Sequence, residues 1–304
     1  MKKNLLILIL AIFLIILWVW QGIYFPKSST SIEEKLFLVE KGQNLFKVAE
    51  NLEKESLIKN KFLFDLYIFI KRAQRKLQAG EYFLSPSGNI DRIAEKIISG
   101  DIAKIVVTIP EGWTQKQIEE RIGLKLPGEN LEGFLFPDTY QFPLRVSGEE
   151  IVKKMRDNFD KKLTLDLREE IQRQGKTIPE IITMASLIEK EVSKNEDKEL
   201  VSGILWKRLK NNIPLQVDAT ITYITGKKTT KILKEETQID SPYNTYKYLG
   251  LPLGPICNPG IDSIKAAMYP KKSEYWYYLS TPEGEVIFSK TLEEHNIAKA
   301  KYLK

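Results

Sequence analysis

Two carboxylates three turns into an apolar helix are the residues of this chain best suited to chemistry. They lie in Met184-Ala-Ser-Leu-Ile-Glu-Lys-Glu191, and Leu215-Gln-Val-Asp-Ala-Thr-Ile-Thr-Tyr223 follows closely. Burying a carboxylate costs several kcal/mol unless it is paired or neutralised. A pKa raised by burial is one way out, and it turns a glutamic acid into a proton donor near neutral pH. Along this helix Ile181, Met184, Ala185, Ile188 and Val192 form one apolar face. Glu191 falls on one flank of that face and Glu189 on the other. Either could serve as the acid, and both could equally be surface charges paired with Lys190 or Lys194.

Four downstream segments carry the side chains that a sugar groove needs: amides for hydroxyl groups and flat rings for pyranose faces. They are Leu215–Tyr223 with Gln216, Asp218 and Thr220; Ser241–Tyr246 with Tyr243, Asn244, Thr245 and Tyr246; Gly250–Gly260 with Asn258; and Glu294-His295-Asn296. All four read as loops, and each taken alone could be an ordinary turn. Glu132, in Leu131-Glu-Gly-Phe-Leu-Phe-Pro-Asp-Thr-Tyr140, is a further acid.

Other chemistries find few residues. The 304-residue chain has one cysteine, Cys257, and one histidine, His295, which argues against an intrachain disulfide and a His/Cys zinc site. No G-x-S-x-G elbow accompanies His295. No cofactor motif is present, so neither cofactor nor metal is expected. The net charge of +6 suits an anionic partner, but no basic run or nucleic-acid signature appears, and nucleic acid is not expected.

The elements that must position these residues start at the membrane. Lys2 and Lys3 precede an apolar run from Leu5 to Phe25, about 30 Å as a helix and enough to span the hydrocarbon core. Trp18, Trp20 and Tyr24 suit the interface, and no A-x-A-like cleavage site follows, so an uncleaved anchor with its N-terminus in the cytoplasm is expected. Pro26–Ser31 reads as a linker. A strand at Phe37, a helix capped by Asn44 and striped by Leu45, Val48, Ala49 and Leu52, and a helix over Asn60–Arg72 follow. The latter is apolar at Phe62, Leu63, Leu66, Tyr67 and Ile70. A strand at Gly80, a helix over Ile90–Ile98 and a strand at Ile105 complete a small domain. Its order Val39-x-x-Gly42-x-x-Leu45-x-x-Val48-Ala49 resembles the opening of a LysM module.

One long helix is expected over Gly148–Gln174, then a helix with Pro179 at its first position, helices over Lys198–Lys210 and Asp262–Ala267, and a hairpin joined across Pro282-Glu-Gly284. The fold class is therefore α+β, in three parts: a tip and transmembrane anchor over 1–26, a linker and LysM-like domain over 27–108, and a mixed α+β catalytic domain over 109–304 with its acid on a helix.

Glu111-Gly112, Glu132–Tyr140, Met184–Glu191, Leu215–Thr220, Tyr243-Asn-Thr-Tyr246, Gly250-Leu-Pro-Leu-Gly-Pro-Ile256 and Glu294-His-Asn296, in this order, resemble the YceG-like family. The resemblance covers nearly the whole chain. It implies an enzyme anchored in the inner membrane, with its catalytic domain on the extracytoplasmic side. It also implies that the enzyme cuts nascent peptidoglycan strands internally by lytic transglycosylation, working near peptidoglycan synthases. Matching the motif makes Glu191 the catalytic residue, and Glu189 remains the rival. Gln216, Asp218 and Tyr243–Tyr246 are the candidates for orienting sugar. The departure is Val192, where lytic transglycosylases often carry Ser or Thr. Hydrolysis with Asp218 or Glu132 as second carboxylate, or a non-catalytic wall tether, are the competing functions.

Overall fold

The structure, a computed structural model, describes residues 2–28, 33–227 and 232–303. Residues 29–31 of the expected linker lie outside the described residues. In chain order the elements are α1 (Lys2–Tyr24), β1 (Lys35–Val39), α2 (Leu45–Lys54), α3 (Lys61–Ile70), β2 (Gly80–Leu84), α4 (Ile90–Ser99) and β3 (Lys104–Thr108). Then come α5 (Gln115–Ile122), β4 (Thr139–Pro143), α6 (Gly148–Lys162), α7 (Leu165–Arg173), α8 (Ile178–Glu191), α9 (Asn195–Lys210), α10 (Asp218–Thr225), α11 (Ile261–Met268), β5 (Tyr277–Ser280), β6 (Val286–Ser289) and α12 (Leu292–Tyr302). The chain divides into two compact units. The first holds everything to Val106 plus Gln141–Val146, and the second holds Val107–Tyr140 and Ser147–Lys304.

In the first unit β1 and β2 pair antiparallel, with Phe37 opposite Tyr82. Alternation sends Phe37, Val39, Tyr82 and Leu84 inward, where they meet the buried stripe Leu45, Val48, Ala49 and Leu52 of α2. The Asn44 side chain accepts the Lys47 N–H at 2.8 Å and so starts α2. Helix α3 corrects the sequence reading. Its buried residues are Leu63, Phe64, Asp65, Tyr67 and Ile68, whereas Phe62, Leu66, Phe69 and Ile70 are exposed. A helix apolar almost all round gives no unique stripe, so periodicity could not pick the inner face. Gln141–Val146 joins this unit through the Arg145 Nε–Glu81 ion pair at 2.7 Å.

Helix α8 is the axis of the second unit. Thr177 and Glu180 form a capping box, which puts Pro179 at the second helical position rather than the first. Every residue from Ile181 to Ile188 is buried. Ser186 fits this interior because its hydroxyl donates to Thr183 O at 2.7 Å and accepts the Ile256 N–H at 3.0 Å. At Gly133, φ is +86°, and a Cβ there would lie 2.5 Å from Pro255, so only glycine suits this contact.

Three further expectations are corrected. The single helix over Gly148–Gln174 is two, because Leu163 turns inward to 1% exposure and Thr164 leaves helical geometry. The segment at Asp218 is helical as α10, held by buried Thr220 and Ile221 despite a run of β-branched residues with weak helix propensity. Glu294-His295-Asn296 lies within α12, where only His295 and Ala298 are buried while Leu292 and Ile297 face solvent, so no apolar stripe announced the helix.

Candidate active site

Glu191 is the last residue of α8, and Ala219, in the first turn of α10, donates its backbone N–H to the Glu191 carboxyl. The acid thus stands between the negative end of one helix dipole and the positive end of another. The Tyr278 hydroxyl of β5 donates to the same carboxyl. Burial pushes Glu191 up to about 7, and the negative charge of Asp218 adds to the rise, while the bonds from Tyr278 and Ala219 hold it back. The residue as a whole still keeps some accessible surface. An acid that is half protonated near neutral pH and reachable from outside can give a proton to a bound molecule and take one back.

Asp218 is exposed beside it and accepts the Tyr246 hydroxyl. Burial and this bond raise the Tyr246 phenol, so it stays protonated. Gln216 adopts a left-handed φ of +53°, rare for a side chain of its size. The turn is fixed by Gln216 N–H to Thr245 O at 3.1 Å and by Arg208 Nη2 to Gln216 Oε1 at 2.8 Å. Glu191, Asp218, Gln216 and Tyr246 therefore form one constellation. Beneath it, Thr245 Oγ1 accepts the Val217 N–H at 3.0 Å and meets Thr220 Oγ1 at 3.1 Å, both fully buried. Buried Asn244 accepts the Tyr246 N–H at 2.9 Å and donates to Ile239 O at 2.7 Å. These three shape the wall and present little to a ligand.

The other expected residues go elsewhere. Glu189 pairs with buried Lys198 at 3.3 Å and accepts from Gly260 N at 2.9 Å and Ser263 Oγ at 2.7 Å, a knot tying α8, α9 and α11. Three donors, one of them a buried ammonium, hold this carboxylate, which suits structure better than proton transfer. Glu132 is raised to about 7 by burial, with the Gln115 N–H and Tyr223 hydroxyl favouring its anion. Asn258, fully buried, donates to Glu132 at 3.1 Å and to Trp113 O at 2.9 Å, so the Glu111–Trp113 and Gly250–Gly260 motifs meet here. Tyr243 packs its ring 5.0 Å from that of Tyr223. His295 stacks on Tyr277 at 5.2 Å, and burial lowers its pKa. Asn296 is exposed on α12. Val192 caps α8 and is buried in the core, so no hydroxyl directly follows the acid.

Tyr278 and Arg208 were missed. Arg208 is 7% exposed, with its guanidinium over the Tyr277 ring at 5.6 Å. The run Tyr275-Trp-Tyr-Tyr278 was the available signal, but a strand reading gave its rings no partner.

A buried-helix acid held between two helix ends and a tyrosine, in a mixed α+β unit, has the chemistry that general acid–base transfer requires. The chain belongs to the YceG-like family, whose model matches residues 37–301. It is 34% identical over 303 residues to the endolytic murein transglycosylase of Bacillus subtilis (strain 168), covering 87% of this chain and 84% of that one. The endolytic murein transglycosylase of Streptococcus pneumoniae (strain ATCC BAA-255 / R6) is 29% identical, over 85% of this chain and 56% of that one. Among solved structures, a yceG-like protein from Listeria monocytogenes matches with TM-score 0.60 and 34% identity, covering 88% of this chain and 99% of that one.

Proposed function

We propose that the chain is a membrane-anchored endolytic lytic transglycosylase of peptidoglycan with Glu191 as its acid and base. The observation that carries this reading is the Glu191 carboxyl, brought to about 7 yet bonded by Tyr278 and the Ala219 amide. Those two donors favour the anion that forms once the proton leaves. In the first step Glu191 protonates the oxygen joining N-acetylmuramic acid C1 to N-acetylglucosamine, and that C–O bond breaks through an oxocarbenium-like state. In the second, the Glu191 carboxylate takes the proton of the muramoyl C6 hydroxyl, whose oxygen bonds C1 and closes a 1,6-anhydro ring. No water enters, and Glu191 ends as it began. Asp218, with Tyr246 bonded to it, and Gln216 line the approach and orient the sugar.

Helix α1, whose apolar stretch Lys3–Tyr24 is 22 residues long, supports a single-pass anchor. Lys2 and Lys3 support an N-terminus in the cytoplasm, hence an extracytoplasmic catalytic unit in the inner membrane. The β1–α2–α3–β2 order of the first unit supports the LysM-like reading and glycan contact there. Peptidoglycan synthases are proposed neighbours on the family resemblance.

The test is mass spectrometry of fragments that the full-length, detergent-solubilised chain releases from purified uncrosslinked glycan. Fragments ending in 1,6-anhydro-N-acetylmuramic acid are expected. Reducing ends carrying oxygen from labelled water would mean hydrolysis, with Asp218 as second carboxylate.

A further inference from the structure

We infer that the first unit carries a binding site for an anionic phospholipid, built from the outer face of α3 and a basic cavity at the end of that helix. This rests on the reading of α1 as a membrane anchor. Ile23 is 4% exposed within the core of this unit, Val19 packs against the same core, and a Cβ on Gly22 would collide with Leu63 of α3. Asn89, the cap of α4, donates to Tyr24 O at 3.1 Å. The unit therefore grips the last turns of the anchor and lies at the bilayer surface.

Phe62, Leu66, Phe69 and Ile70 are 70, 39, 49 and 65% exposed. At about 100° per residue they fall within one narrow arc of α3, and Leu63, which meets the anchor, stands at its edge. An apolar stripe continuous with a transmembrane helix is placed for the headgroup–acyl boundary. Lys61 and Lys71 stand at its two ends, each with its ammonium over a ring (Phe62 at 5.5 Å and Tyr67 at 5.4 Å).

Where α3 ends, a cavity of about 680 Å³ opens, lined by Tyr67, Lys71, Lys76, Arg92, Glu95 and Lys96. Four cations face Glu95, and a second carboxylate, Asp91, accepts the Tyr67 hydroxyl. The ion pairs are loose, with Lys71–Glu95 at 3.9 Å and Lys96–Glu34 at 4.0 Å, both exposed, while Lys96 also donates to Phe83 O at 2.9 Å. Arg92 lies one turn beyond Asn89, so the cavity is within a turn of the end of the anchor. A phosphate on a lipid whose chains lie along the α3 stripe would reach these cations without leaving the bilayer plane. Peptidoglycan can offer carboxylates but no acyl chains for the α3 stripe, so lipid fits better than sugar.

Native mass spectrometry of the full chain in detergent, with equal phosphatidylglycerol and phosphatidylcholine, tests the site. Phosphatidylglycerol should be retained selectively, and Lys76→Glu or Arg92→Glu should each cut that preference about fivefold or more, since one cation near an anionic headgroup is worth roughly that factor. Equal retention of both lipids, or an unchanged preference in both variants, would overturn the proposal. Loss of the lipid to added inorganic phosphate would also overturn it, assigning the cavity to a soluble anion. Alkaline carbonate extraction of membranes separates this from the anchor reading. A chain that stays in the membrane without lipid preference defeats the site alone, and release into the supernatant defeats the anchor.

Discussion

Replacing Tyr278 with Phe removes a single hydroxyl, the one donated to Glu191, and leaves the ring in place. A hydrogen bond to a charged group contributes about 1.5–3 kcal/mol. Tyr278 serves the carboxylate and not the acid, so its loss destabilises the anion. At 1.36 kcal/mol per pKa unit, the Glu191 pKa should climb from about 7 by roughly 1–2 units. Cleavage needs Glu191 protonated at the start, so the alkaline limb of kcat/KM should move upward by that amount. The second step needs a good base and a well-placed carboxylate, so the maximum should fall, by about tenfold if positioning is lost. The assay is release of anhydro-ended fragments by full-length protein between pH 5 and 9. A Tyr278→Phe profile that keeps the parental alkaline limb would refute the reasoning, because the bond could then not be acting on Glu191.

Three other outcomes follow from the same geometry. Asp218→Asn removes the charge that raises Glu191, so the alkaline limb should shift downward, and anhydro products should persist while a hydrolase relying on Asp218 would stop. Glu191→Gln should stabilise the fold at alkaline pH. The folded pKa lies above the unfolded value near 4.5, so the folded state holds the extra proton between them, and stability is lost as pH rises from about 4.5 to 7. Discounted for the residue's remaining solvent exposure, the variant should gain about 2 kcal/mol at pH 8 and almost nothing at pH 4, read as Tm differences in thermal melts. Glu189→Ala strands buried Lys198 and should cost about 3–5 kcal/mol, measured by denaturant titration. The companion Glu189→Gln, where it folds, should keep the alkaline limb of the parent.

Much of this architecture is written in local signals. Asn44, Asn60, Thr114 and Thr177 cap the helices they precede, and the Leu45–Leu52 stripe is buried throughout. Legibility fails where a helix is not amphipathic. In α3 apolar residues on all sides conceal the inner face, and in α10 and α12 tertiary packing of Thr220, Ile221 and Ala298 holds sequences without a helical stripe. The site was half legible. Glu191, Asp218, Gln216 and Tyr246 could be selected by type and motif. Asn258, Glu132 and Asn244 have the same polar chemistry but spend it on buried backbone and on each other, which only the fold reveals. The aromatic run flagged Tyr278, but its pairing with Glu191, 87 residues away on a different element, could not be read from the sequence.

Fragment release from nascent, uncrosslinked glycan by the full-length protein, its Glu191→Gln form and its Glu189→Gln form, side by side at pH 6.5, is the most direct measurement. If one acid does the work, Glu191→Gln falls to background while folded Glu189→Gln still yields anhydro-ended fragments. Anhydro-ended products from Glu191→Gln at the parental rate would contradict that assignment.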